Sequence, residues 1–273
     1  MAQQVPNFSL PYAPLLKATE MKINKILSPY GQMKLIDGPN FLEPEQDIEI
    51  APKLLKHSIE KSAGTFARIY RPQRTVALTS RDSSTPGYQN ALNQAQNFGF
   101  TPVVRSPGGR AVAYHEESLV FDVLTHDPNP HDQINKRFQA MGQIFVDSFE
   151  NLGIKAKLGE VPREFCPGKY SVISENVKLV GTAQRITRGG WLIGASVIVR
   201  NALPVRDVLS SVYRALELDM DPKTVGSLNE FDSQLTVDDL QASLINTLKE
   251  YFEVMEIEIA LKSHLFERKL VGV

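Results

Sequence analysis

Apolar positions along this chain recur with two different periods, and the changes of period mark its elements. Tyr88, Ala91, Leu92, Ala95 and Phe98 share one face at helical spacing behind Pro86-Gly87, and Gly99 is placed to end that helix. A longer stripe of Ile134, Phe138, Met141, Phe145, Phe149 and Leu152 predicts a helix over residues 131–152, closed by Gly153. Such a stripe packs a core more often than it binds a cofactor. Thr236, followed by Asp238 and Asp239, predicts an N-cap for a helix running to about Ile259. Between these stretches the pattern is β-rich over residues 65–70, 75–79, 102–105, 111–114 and 118–124. It is β-rich again over 170–174 and 177–182, with Glu175-Asn176 as a hairpin turn, and over 191–199. Asp127-Pro128-Asn129-Pro130 is a turn cluster.

The two ends of the chain read differently from this centre. Pro6, Pro11, Pro14, Pro29, Pro39 and Pro44 argue against long helices before about residue 45, leaving a short helix over 51–61. The chain from about Pro204 onward reads as helical. These patterns predict an arm over 1–60, a catalytic core over 61–203 and a helical segment over 204–273 packed on the core. The expected class is α+β, with a mixed, largely antiparallel sheet flanked by helices.

Composition narrows the function classes. The 273 residues are 42% hydrophobic and 22% charged, ordinary values for a globular protein with a sizeable core. Thirty basic and 31 acidic residues give a net charge of −1, and no tract is strongly basic, which argues against nucleic acid as a partner. Small basic groupings remain, among them Arg105, Arg110, Arg185 and Arg188. No apolar run reaches membrane-spanning length, so no membrane partner is expected. The opening MAQQVPNFSLPYAPLLK lacks a basic stretch followed by an apolar core, and the expectation is a cytoplasmic protein. With one cysteine, no internal disulfide forms.

That cysteine, Cys166, heads the candidate chemistry. A lone cysteine is most often a small buried hydrophobe. Cys166, however, lies between Phe165 and Pro167-Gly168, in a turn region, where rigidly held loops present nucleophiles. A nearby cation or backbone N–H group favours the reactive thiolate, and Lys169 and Lys178 are candidates for the cation. Lys178 stands on a strand opposite Val177 and Leu179, so it is either solvated or aimed into a pocket. Upstream, Gly108-Gly109 allows the backbone to approach a ligand, flanked by Arg105 and Arg110. A Gly-Gly turn is by itself usually a hairpin. His115-Glu116-Glu117 suggests acid–base or metal chemistry, but no second histidine stands at ligand spacing and no metal site is expected. His126 and His131 read as surface residues. No phosphate-binding glycine loop and no dinucleotide fingerprint is present.

Taken together, two segments resemble the lipoate–protein ligase, octanoyltransferase and biotin ligase superfamily. Arg105-Ser106-Pro107-Gly108-Gly109-Arg110-Ala111-Val112-Ala113-Tyr114-His115-Glu116 is similar to its first signature. Lys178-Leu179-Val180-Gly181-Thr182-Ala183-Gln184-Arg185 is similar to its second. The similarity spans roughly residues 65–200. A cysteine about a dozen residues before the lysine resembles the cysteine-dependent branches, and Cys166-Pro167-Gly168-Lys169-Tyr170 resembles the amidotransferase branch. The arginine after Gly108-Gly109 instead resembles the branch that uses an acyl carrier protein, so the donor stays open.

The resemblance implies a biotin/lipoate protein ligase-like core and acyl transfer, with Cys166 as nucleophile and Lys178 holding the acyl carbonyl. It implies substrate contacts from Arg105, Gly108, Gly109, Arg110, Ala111, Val112, His115, Gly181, Thr182, Ala183 and Gln184. An acyl tunnel near Val112, Tyr114 and Val180 would follow. The implied partners are lipoyl-domain proteins: the glycine cleavage H protein, 2-oxoacid dehydrogenase acyltransferase subunits and, as a donor, octanoyl acyl carrier protein. No cofactor is implied. Two alternatives stand beside this reading: an ATP- and Mg²⁺-dependent lipoate ligase, with Cys166 incidental, and an inactive protein that binds acylated carriers.

Overall fold

A computed structural model describes residues 22–258. The proline-rich opening, with Pro6, Pro11 and Pro14, and the predicted helix end at Ile259 lie outside them. In chain order the elements are α1 (Ile23–Leu27), β1 (Gln32–Asp37), α2 (Pro44–Lys61), β2 (Thr65–Tyr70), β3 (Thr75–Leu78), α3 (Ser80–Ser83) and α4 (Tyr88–Asn97). There follow β4 (Thr101–Val104), β5 (Val112–Tyr114), β6 (Ser118–His126), α5 (Ile134–Glu150), β7 (Lys157–Gly159), β8 (Ser171–Ser174), β9 (Val177–Thr187) and β10 (Gly190–Ile198). The last are α6 (Leu203–Ala215), α7 (Val237–Tyr251) and β11 (Glu253–Glu256).

Eight strands form one sheet in the order β11-β1-β2-β6-β10-β9-β8-β7, and three form a second in the order β4-β3-β5. In the large sheet β1 runs parallel to both β11 and β2, and the other pairings are antiparallel. This is the expected mixed, largely antiparallel α+β architecture. One face of the large sheet packs on α1, α5 and α7 through Phe121, Met141, Phe145, Phe149, Trp191 and Leu244. On its other face α2 packs against Phe66, Leu124 and Leu192. The small sheet, α4 and α6 close over the remainder through Tyr70, Val112, Val205 and Tyr213. The space left between α2, the small sheet and the large sheet holds the site.

The expected boundaries shift in several places. β1 is an inner strand and Ile23 and Leu27 are fully buried, so residues from 22 onward belong to the core instead of an arm. The alternation of Met33 and Leu35 with polar neighbours was hidden among prolines and glycines. α2 starts at Pro44, not at residue 51, because a proline in the first turn gives up no helical hydrogen bond. Phe98 is 39% exposed, and Phe100 is the buried aromatic that follows α4. α7 keeps its predicted cap, with Thr236 and Asp239 bonding reciprocally. It ends at Tyr251, however, and Glu253–Glu256 extends onto β1 as a strand. Among the described residues, no helix is long and apolar enough to cross a membrane.

Candidate active site

Cys166 sits in the left-handed region at φ 41, an unfavourable place for a residue with a side chain. Three contacts fix it there. Its backbone N–H donates to the Tyr213 hydroxyl at 2.6 Å, and its carbonyl accepts from Lys178 Nζ at 2.8 Å. Its Sγ accepts the backbone N–H of Arg110 at 3.2 Å. The loop before β8 is thereby tied to the loop before β5 and to α6. Tyr213 also donates to the Ala111 carbonyl at 3.0 Å, and burial holds its hydroxyl protonated well beyond the usual range.

Lys178 is 2% exposed, which overturns the solvated-strand reading. Nor is its ammonium free to meet a substrate. Besides the Cys166 carbonyl it donates to the Phe165 carbonyl at 3.0 Å and to Glu164 Oε1 at 3.1 Å. Glu164, 1% exposed, also accepts from Gly168 N, Ser171 Oγ and Val161 N. Every polar atom of this cluster is used, which is what allows an ion pair to be buried without penalty from missing partners. All three of its donors are thus directed to Glu164 and to the backbone of the Cys166 loop. Gly181 leaves room for it: a Cβ there would stand 3.2 Å from Lys178 Cε.

The glycine pair has a defined purpose. Gly109 lies at φ 101, and a Cβ on it would meet Cys166 Sγ at 2.7 Å and Arg105 Nη2 at 3.3 Å. Sulfur and guanidinium thus flank the same point. Arg105 Nη2 donates to the Arg110 carbonyl, while its Nε is buried without a partner. Arg110 turns its side chain to Asp82, which completes a capping box with Thr79 at α3. Thr79 in turn bonds the Gly109 carbonyl.

Two cavities meet at Cys166. The inner one runs between α2 and the large sheet and is lined by Arg105, Val112, Tyr114, Gly181, Thr182, Ala183, Tyr70, Asp122 and Gly194, among others. The outer one opens at Gly108, Gly109, Thr182, Ala183, Gln184, Lys169, Tyr170 and the start of α5. Gln184 is held by buried Arg137 at 2.5 Å, and its carbonyl accepts from Gly108 N.

Four expected contacts lie away from these cavities. Ala111 is fully buried in the core and the Arg110 side chain is turned to Asp82, and neither lines them. His115 borders neither cavity. It is 2% exposed, its Nδ1 accepts from Glu117 N, and its Nε2 bonds the Asn201 carbonyl, so it shapes the turn into β6. Val180 points the other way, into the core under α5, because strand neighbours alternate faces.

Sequence reading missed Glu164, Tyr213, Asp82 and Asp122. Asp82 had a signal in the Thr79-x-x-Asp82 cap. Asp122 had another: an acid inside the apolar run Leu119-Val120-Phe121-Asp122-Val123-Leu124 is expensive unless it is used. Burial pushes the Asp122 carboxyl up to about 7 and that of Asp47, paired with buried Arg68, up to about 6.

Comparison with known proteins adds relatives. Octanoyl-[GcvH]:protein N-octanoyltransferase of Bacillus velezensis is 25% identical over 226 residues, 78% of each chain. The protein of that name from Geobacillus kaustophilus is 25% identical over 227 residues, 78% of this chain and 79% of the other. Among solved structures, lipoate-protein ligase A bound with ATP superposes with a TM-score of 0.68 at 20% identity, covering 88% of this chain and 95% of that one. A bipartite lipoate protein ligase from Thermoplasma acidophilum, solved with its E2 lipoyl domain, gives 0.63 at 19%, covering 88% and 92%. Residues 43–249 match the lipoyl protein ligase A/B catalytic domain, and the chain belongs to that family.

Proposed function

We propose that this protein moves an octanoyl group from one lipoyl-domain protein to another through a thioester on Cys166. The observation that carries the reading is the position of Cys166 Sγ, held by the Arg110 amide where two cavities meet. The names of the bacterial relatives support octanoylated glycine cleavage H protein as donor. The acceptors are then lipoyl domains such as those of 2-oxoacid dehydrogenase acyltransferase subunits.

In the first half-reaction the Cys166 sulfur attacks the octanoyl-lysine carbonyl. The C–S bond forms, the C–N bond breaks, and the lysine amine leaves with the proton given up by the thiol. In the second, an acceptor lysine amine attacks the thioester, a C–N bond forms, the C–S bond breaks, and the proton lost by the amine restores the thiol. In the resting state the Arg110 N–H donates to the Cys166 sulfur and fixes its direction. Once the sulfur is acylated, that amide stands beside the carbonyl oxygen on which charge develops. Lys178 is a positioning residue, acting through the Cys166 carbonyl. The cycle consumes no nucleotide and requires no metal.

The test is intact-protein mass spectrometry after mixing with octanoylated H protein or octanoyl carrier protein, without ATP. The expected result is a gain of one octanoyl group from the H protein, absent in Cys166→Ala. A protein that forms no adduct, yet modifies its acceptor once lipoate and ATP are supplied, would be a ligase and would sink the proposal.

A further inference from the structure

Arg105 follows β4, and its backbone N–H still bonds the Leu78 carbonyl of β3 at 2.9 Å. That bond pins the start of the glycine loop. The Arg105 side chain lines the inner cavity, as Cys166 does. Its Nη2 donates to the Arg110 carbonyl at 3.2 Å, and Cys166 Sγ accepts the Arg110 N–H at 3.2 Å. Guanidinium and sulfur are thus seated on the two peptide groups of one residue. Gly109 keeps the gap between them open, since a Cβ there would stand 2.7 Å from the sulfur and 3.3 Å from Nη2.

The charge on Arg105 is unanswered. The buried and half-buried arginines around it each have a carboxylate: Arg68 has Asp47 at 2.5 Å, Arg110 has Asp82 at 3.2 Å, and Arg137 has Asp127 at 3.9 Å. Among the described residues Arg105 has none, and Asp122, which lines the same cavity, forms no ion pair with it. Its Nε is buried without a hydrogen-bond partner. A buried donor left open on a cation is costly, and each such group asks for an explanation, a catalytic role among them. Lys178, the other buried cation near the nucleophile, directs its three donors to Glu164 and the Cys166 loop. The Arg110 amide is the donor already at the sulfur, and oxygens that gain charge in a reaction are held best by more than one donor kept from water.

We infer that Arg105 is a catalytic residue, whose guanidinium joins the Arg110 amide in holding the carbonyl oxygen of the acyl group that Cys166 attacks. The inference rests on the acyl-transfer reading for the presence of that acyl group. As sulfur adds to the carbonyl carbon, the C=O π pair moves onto oxygen, and the arginine meets the negative charge formed there. When the tetrahedral centre collapses, the C=O bond re-forms, the leaving group departs with its bonding pair, and the arginine is left as it was. A planar fork of N–H groups suits this task, because one arm can stay on the Arg110 carbonyl while another faces the oxygen.

The test compares two reactions of the same thiol in the full chain. Acylation by p-nitrophenyl octanoate passes through an oxyanion: the C–S bond forms, the ester C–O bond breaks, and p-nitrophenolate leaves. Alkylation by iodoacetamide displaces iodide and forms no oxyanion. The ratio of the two rates therefore reads the oxygen and not the thiol. Arg105→Met is expected to lower that ratio about a hundredfold, the usual effect of one such donor. Arg105→Lys, which keeps the charge but loses the fork, should recover part of it. Thermal melts establish folding, and Arg105→Gln gives the same reading if Arg105→Met does not fold. A ratio that stays put, or rates that fall together, would make Arg105 a support of the thiol alone and overturn the inference. A wild-type thiol that the ester does not acylate would overturn it as well. Octanoylated H protein separates the two proposals. No adduct from it, with an ester ratio that depends on Arg105, would sink the donor and leave the inference standing. An adduct formed at the wild-type rate in Arg105→Met would do the reverse.

Discussion

Two buried polar clusters flank Cys166, and they are completed to different degrees. In the first, Glu164, Lys178 and Ser171 satisfy one another and the backbone of the Cys166 loop. In the second, Tyr70, Tyr114 and Asp122 border a cavity with their polar ends open. The first is built to hold a strained backbone still, and the second to receive something. Polar burial on its own does not distinguish structure from function; whether the valences are already filled does.

The largest effect expected from breaking this contrast is at Glu164. Glu164→Ala leaves the Lys178 ammonium buried without its counter-ion, and a loss of about 3–5 kcal/mol is expected in urea unfolding. Asp122→Ala should cost far less, since it removes no made contact. Equal costs would erase the distinction between the clusters.

Next comes pH. The folded chain holds a proton on Asp122 up to about pH 7, while its ordinary value is 3.8. Between those values the native state binds more protons than the unfolded one, so stability falls as pH rises through the window and levels off above about 7. The fall attributable to this group is at most about 4 kcal/mol. Asp122→Asn should flatten the slope between pH 6 and 7, leaving the portion below about 6 to which Asp47 contributes. Denaturation midpoints across pH 4–8 check this.

Gly109→Ala should preserve the fold at a cost of about 1–2 kcal/mol, because an alanine must adopt a left-handed backbone. Its methyl would displace Cys166 Sγ, so acylation of the thiol should slow by roughly tenfold or more, as reaction geometry worsens. Rates of adduct formation measure this. The smallest effect is at Tyr213→Phe. It removes the acceptor for Cys166 N–H and the donor to Ala111, and a stability loss of about 1–2 kcal/mol is expected.

How much of this was legible in the sequence divides along the same line. The α5 stripe, the Glu175-Asn176 hairpin and the Thr236 cap are local patterns, and each is found where expected. Gly108-Gly109 and Cys166 were legible as candidates, and the fold brings them into contact. Their partners were not legible, because Tyr213 approaches Cys166 from 47 residues away and Arg110 from 56. Lys178 shows the limit most clearly. Its strand position named it, but only the fold decides whether its ammonium meets ligand or loop. β1 went unread for a related reason: a short parallel strand draws its stability from neighbours at both chain ends, and no local signal announces them.

The three bonds made by Lys178 have a consequence for any catalyst that attaches acyl groups to lysines. A thioester on Cys166 would have an amine of its own chain close by. An ammonium that donates to one carboxylate and two carbonyls has all three protons engaged, and so no lone pair to offer. As an intramolecular competitor for an acyl group on Cys166, this amine is disarmed by the contacts that hold the loop. In the proposed cycle the cargo would thereby be withheld from the lysine that supports its carrier.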